Sequence, residues 1–288
     1  MIHRWHNTDD CNMKTAHHLK QAFFARGRVP DCPIYDLHGH MGPSFGLHIN
    51  RETAAQADTV LKRVGVRLLV FCHHAALMAP DIGNAANIKA VRAFPDRLRA
   101  YCGINPNYPD QVKKDVATFD RYTDVYVGFK FLADYHCIPI NDPRNEPAWQ
   151  LAQARALPVL LHTWGNSLFD GQTVVRQVAE RYNQAKILLG HSCHGAWDEA
   201  IQLVKDFPNV YLELCAVMDE RGILERFVGE LGSERIVFGT DYPWFNHHYY
   251  IGAVLGAGIG DDDCRNIFYR NAESILGGAF NAKSPTAK

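Results

Sequence analysis

Eight short runs rich in β-branched and aromatic residues recur along this chain, each separated from the next by a longer stretch with helical periodicity. The runs cover 33–38, 66–72, 98–104, 125–131, 158–162, 186–191, 209–215 and 235–241, and amphipathic segments lie between them at 52–64, 84–94, 110–121, 147–156, 173–182, 196–207 and 222–231. Nearly continuous apolar runs suit parallel strands covered on both faces. Successive runs begin roughly two to three dozen residues apart, room for one crossover helix each time. Eight such units predict an α/β fold, a closed (β/α)₈ TIM barrel rather than an open sheet, which usually has fewer strands. An open nucleotide-binding sheet would also want a GxGxxG turn after its first strand, and none occurs there.

The same rhythm predicts one domain over 1–288: an N-terminal extension 1–32, the barrel 33–276 and a tail 277–288. Within the extension, 15–26 reads as a helix whose apolar side is Leu19, Ala22, Phe23 and Phe24, expected to cap the barrel or a subunit interface. The end of the tail, NAKSPTAK, has the composition of a disordered segment.

Bulk chemistry removes several function classes. A net charge of −1 gives no electrostatic reason to expect a nucleic-acid or membrane partner. No run approaches the roughly 20 apolar residues that span a bilayer, and MIHRWHNTDD lacks the apolar core of a signal peptide. Eight cysteines occur without a CxxC pair; Cys72, Cys102 and Cys215 sit in or beside apolar runs, where a free thiol acts as a small hydrophobe. The expectation is a cytoplasmic enzyme in a reducing compartment, acting on a small molecule, with helical surfaces available for a homodimer.

Fifteen histidines are the unusual count. In a barrel of this kind chemistry gathers where strands end. The first run ends in Asp36-Leu37-His38-Gly39-His40, the fifth in His162, the sixth in His191 and the eighth in Asp241, while the fourth carries Lys130. Residues two apart on a strand point the same way, so His38 and His40 can both face the barrel axis. Two confined imidazoles cost desolvation unless something binds them, and a divalent cation resolves that. Glu213, an acid inside an apolar strand, must be paired, with Lys130 or with a ligating histidine. His73 or His74 is expected to line the pocket, and Trp164 and Trp244 to wall it. His247 and His248 lie near the mouth in sequence, His194 reads as a helix cap, and His3, His6, His17 and His18 read as exposed.

The motifs DLHGH, LLHTWG, LLGHS and VFGTDYPW resemble the amidohydrolase superfamily, in the amidohydrolase-related branch that also holds non-oxidative decarboxylases similar to aminocarboxymuconate semialdehyde decarboxylase. The resemblance covers about residues 33 to 276. It implies His38, His40, His162 and Asp241 as metal ligands and His191 as the group that orients substrate and stabilises developing charge. Three neutral imidazoles and a carboxylate suit Zn²⁺, with Mn²⁺ or another divalent ion as alternatives, and leave a position for water. A bound metal lowers the water pKa towards about 7. Asp241 could then take the water proton and pass it on, while His191 polarises a carbonyl.

Lys130 has two readings. It could carry a carbamate bridging two metals, or remain a plain lysine that holds a substrate carboxylate or pairs with Glu213. One metal is favoured over two, because no clear further ligand set is present. In the branch, histidine often follows this lysine two positions on, and here that position is Leu132. The favoured reaction is hydrolysis of a C–O or C–N bond in a lactone, ester or amide. The alternative is decarboxylation of an aromatic or unsaturated acid, with Arg144, Arg51 or Lys130 holding the leaving carboxylate. A non-catalytic, metal-binding barrel is the third reading.

Overall fold

The computed structural model describes residues 17–44 and 46–277. The expectations for His3, His6, the start of the extension helix and nearly all of the tail lie outside the described residues. The strands are β1 (Ile34–Met41), β2 (Val66–His73), β3 (Leu98–Ile104), β4 (Tyr126–Phe131), β5 (Pro158–Trp164), β6 (Lys186–His194), β7 (Val210–Glu213) and β8 (Ile236–Val237). They form one sheet in chain order, every neighbouring pair parallel. Beyond Val237 the chain leaves the regular ladder but stays bonded to β1. Leu37 donates its N–H to the Phe238 carbonyl at 3.0 Å, and Asp241 donates to the His38 carbonyl at 2.7 Å. A bridge between Gly39 and Tyr242 completes the ring. The barrel is therefore closed by an irregular segment, not by the full strand 235–241 that the sequence suggests.

Its core has two parts. Inside the barrel, Tyr35, Leu37, Leu68, Val70, Tyr101, Leu160, Leu188 and Val237 pack together. Between strands and helices lies the larger layer, in which Leu69, Phe71, Phe129 and Leu189 meet helix residues such as Leu61, Val178 and Leu203. Strand residues alternate between the two, as a pleat requires. The seven expected crossover helices form within a few residues of expectation, at Ala54–Val64, Pro80–Ala93, Pro109–Thr118, Glu146–Arg155, Gln172–Arg181, Trp197–Asp206 and Ile223–Leu231. The sequence reading missed His247–Gly256 and the helical run from Asp261 to Leu276. The last of these, Asn271–Leu276, plugs the bottom of the barrel with Ala272 and Ile275. The extension helix, His18–Arg26, lies beside His247–Gly256 on the outside of the barrel, with Leu19 and Phe23 turned in.

One irregularity matters for function. On β1 the register slips between Asp36 and Gly39, where three steps on β1 match two on β2. Such a bulge switches which residues face inward. Tyr35 and Leu37 point into the barrel below the slip. Above it, the even-numbered His38 and His40 do.

Candidate metal centre

The top of the barrel is built around imidazoles with one nitrogen tied down. His38 Nδ1 donates to Glu213 Oε2 at 2.8 Å, and His40 Nδ1 donates to the Cys72 carbonyl at 2.9 Å. His162 Nδ1 bonds Asp170 Oδ2 at 3.1 Å, and His191 Nδ1 reaches the Cys215 carbonyl at 3.3 Å. A ring that gives its Nδ1–H in this way turns its Nε2 lone pair to the opposite side. The rings are neighbours: His38 lies 5.5 Å from His40 and 5.1 Å from His191, which lies 4.9 Å from His162, centroid to centroid.

Asp241 closes the arrangement. Its Oδ1 lies 3.1 Å from His40 Nε2 and 3.5 Å from His38 Nε2. The tautomers above turn a lone pair from each nitrogen towards a carboxylate oxygen, and that oxygen is buried without a hydrogen-bond partner. Three electron-rich atoms facing one another are stable together only around a cation, so the donors fit a divalent metal. His38, His40 and Asp241 hold their ligand atoms within 4.8 Å of one another. His162 is not part of that group; it gathers with Asp134 and Asp170 instead and meets the centre through His191.

Burial sets the protonation states. It pushes His38 and His191 well below the usual imidazole range, so both are neutral ligands or acceptors at neutral pH. It raises the Glu213 carboxyl to about 8, against the pull of the Cys215 and His191 N–H groups that donate to it. Lys130 is fully buried; desolvation lowers its pKa, and its Nζ donates to His38 Nε2 at 3.1 Å. Glu213 thus pairs with His38, and the lysine reaches the same ring from its other side.

Glycines make room for this chain of contacts. A Cβ at Gly239 would lie 2.8 Å from His38 Cβ and 2.7 Å from Glu213 Cδ. At Gly190 one would sit 3.2 Å from His38 Cε1. Strain gathers here too: His191, Ser192, Cys193, Ala216 and Asp241 all have positive φ between 50° and 67°. Non-glycine residues in that region cost of order 1 kcal/mol or more each and cluster at functional sites.

Other expectations are redrawn. His73 is the N-cap of the short helix His74–Met78, accepting from Ala75 N, with its ring over Gly42. The residue stacked on His40 is His74, at 4.9 Å. Both of its nitrogens are engaged, Nδ1 by the Gly42 carbonyl and Nε2 by the Trp244 indole N–H at 3.0 Å, so it positions rather than ligates. Trp244 and Trp164 are each 41% exposed, the first edge-on to His74 and the second beside His162. Trp164 stacks on His194 at 4.4 Å and contacts His162 and His191. His194 caps no helix; it pairs with Asp219. His247 is buried 2.9 Å from Asp36 Oδ2, and His248 bonds the Gly27 carbonyl, so neither reaches the mouth. Arg144 is exposed and held by Asp142, and Arg51 is exposed in the loop after β1.

Sequence reasoning offered His73 or His74 for the pocket, and the structure places His74 there; it missed Asp170 and Cys215. Asp170 stands eight residues after His162, in a loop without periodicity, and nothing local marks it. Cys215 was read as a small hydrophobe, but its sulfur lies within 4.8 Å of ligand atoms of His38 and His191.

An amidohydrolase family model matches residues 35–278. Among solved structures, 5-carboxyvanillate decarboxylase from Sphingomonas paucimobilis is 14% identical with a TM-score of 0.67, over 85% of this chain and 99% of that one. A dihydroxybenzoic acid decarboxylase from Polaromonas, solved with bound manganese, is 15% identical with a TM-score of 0.64, over 85% and 97%. An uncharacterised TIM-barrel protein from Bordetella bronchiseptica is 17% identical with a TM-score of 0.70, over 86% and 99%. At these identities the likeness is one of fold.

Proposed function

The chain belongs to the amidohydrolase family, and from that premise we propose that it is a metal-dependent, O₂-independent decarboxylase of a small aromatic or unsaturated carboxylic acid. The observation that carries this reading is Lys130. A decarboxylase needs a cation to hold the leaving carboxylate, and of the three sequence candidates Lys130 alone stands at the centre, fully buried against His38. The fold shared with two aromatic-acid decarboxylases, one holding manganese, supports the same reading.

His38, His40 and Asp241 are the residues that would hold the metal, with His162 and His191 beside them. The bound cation supplies an electrophile that orients the acid and stabilises negative charge. Mn²⁺ and Zn²⁺ both suit the donors, and one ion suffices for the three-residue group. The His38 Nε2 lone pair serves one partner at a time. With the metal in place the Lys130 donors are free for an anion, in a site dry enough to strengthen the pairing. Trp164 and Trp244 offer indole surface at the mouth for a planar ring. Cleavage breaks the bond from ring carbon to carboxylate, CO₂ departs, and a proton must replace it at the carbon. Asp241, partly open to the mouth, is placed to carry that proton, and neutral His191 to accept a hydrogen bond from a substrate hydroxyl.

Hydrolysis of a lactone, ester or amide is the second reading. What favours it is the unpartnered Asp241 Oδ1, which suits a general base for water. The two readings separate on a panel of hydroxylated aromatic acids assayed for CO₂ beside a panel of lactones, esters and amides assayed for acid. We expect CO₂ from the Mn²⁺-loaded protein, falling about a hundredfold or more in Lys130→Met, the scale expected when a buried charge loses its partner. Acid release from the second panel, with no CO₂ from the first, would replace decarboxylation by hydrolysis.

A further inference from the structure

Resting on the metal-centre reading above, we infer that Cys215 gives this centre a second, softer cation position, formed with His191 and His38 and exclusive of the first. His38, His191 and Cys215 are buried, and their ligand atoms lie within 4.8 Å of one another. This is a separate group from His38, His40 and Asp241, and the two share one residue. His38 Nδ1 is committed to Glu213, so a single lone pair, on Nε2, must serve whichever position is filled.

The backbone around Cys215 is fixed as a ligand cradle would be. Cys215 N–H donates to Glu213 Oε1 at 2.7 Å, and Ala216, held at positive φ, donates to the Tyr250 hydroxyl at 2.7 Å. Across from it, His191 also has positive φ, and the strained turn that follows is held by Ser192 Oγ donating to the Glu213 carbonyl at 2.8 Å. Asp36 and Asp241 lie near the cysteine, a setting that suits a cation. On binding, the S–H bond breaks, the sulfur–metal bond forms and the proton leaves to solvent.

The two positions differ in donor type. Two imidazoles and a carboxylate oxygen suit Mn²⁺, whereas two imidazoles and a thiolate suit Zn²⁺ or Cd²⁺. The identity of the ion then selects its place, and a soft ion at Cys215 withdraws His38 from the position beside Asp241. Zn²⁺ and Cd²⁺ therefore inhibit the Mn²⁺ form by competition for His38.

The test is a Cd²⁺ titration of the full chain followed by near-ultraviolet absorption, with Mn²⁺ binding measured in parallel by elemental analysis. We expect a thiolate-to-metal charge-transfer band that saturates near one equivalent, is lost in both Cys215→Ser and Cys215→Ala, and is accompanied by release of bound Mn²⁺. X-ray absorption on the zinc-loaded natural chain should find one sulfur among the ligands, a readout that needs no variant. Mn²⁺ binding with no such band and no sulfur would overturn this inference alone. A band that survives in both variants would also overturn it. Failure to bind either ion would overturn it together with the metal centre.

Discussion

Each imidazole at the top of this barrel has its Nδ1 anchored, two by carboxylates and two by backbone carbonyls. Anchoring of that kind fixes the tautomer and aims Nε2, and removing it costs about 10–100-fold in metal affinity. Glu213→Gln should therefore weaken Mn²⁺ binding by about that factor while the fold persists, measured by competition with a chelating dye. Gly239→Ala should weaken binding comparably, because the new methyl falls where Glu213 and His38 meet. Unchanged affinity in both variants would remove Glu213 from the positioning role. Individual residue types were legible in the sequence: an HxH, later histidines and an aspartate at run ends, and a buried acid needing a partner. Which nitrogen each ring spends, and on what, was not legible. Glu213 was expected to pair with Lys130 or a ligating histidine, but the other partners are backbone carbonyls and a loop aspartate, brought close by tertiary contact with no trace in spacing.

Among the elements, β1 and the final helix carry the most consequence. The bulge on β1 lets Leu37 fill the barrel interior and His38 face the centre, although the two are adjacent. Strand periodicity explains why His38 and His40 agree with each other, but not why they agree with the interior. At the other end, Asn271–Leu276 closes the barrel floor. Asn271 donates to the carbonyls of Ser233 and Ile236, Lys186 Nζ reaches the Ile275 carbonyl, and the Ile275 side chain is 2% exposed. Ile275→Ala should cost about 2–4 kcal/mol and lower Tm by roughly 3–7 °C. Calorimetry checks this, and a shift under about 2 °C would mean that the helix is not part of the closing core. The helix escaped sequence reading because it is short and lies past the last strand, outside the repeating rhythm. β8 misled in the opposite sense. Its run 235–241 looks like a full strand, yet only Ile236–Val237 pair regularly, because the chain turns to bond β1 and bring Asp241 over His38 and His40.

For the molecule as a whole, eight apolar runs were enough to anticipate a parallel barrel, since only a structure covered on both faces hides so many continuous strands. The site is harder to read because it is assembled from strand ends far apart in the chain. Glu213 and His38 are 175 residues apart, and Lys130 and His38 are 92 apart. Among the described residues no helix is long and apolar enough to cross a membrane, and the described cysteines are free. All chemistry proposed here depends on one centre being filled. Its most direct test is metal stoichiometry on protein purified without chelator and dialysed against Mn²⁺, for the natural chain and for His40→Ala with Asp241→Ala. About one equivalent in the natural chain, lost in the double variant, is the expected result. Less than about 0.2 equivalents in the natural chain, or equal binding in the variant, would contradict the account.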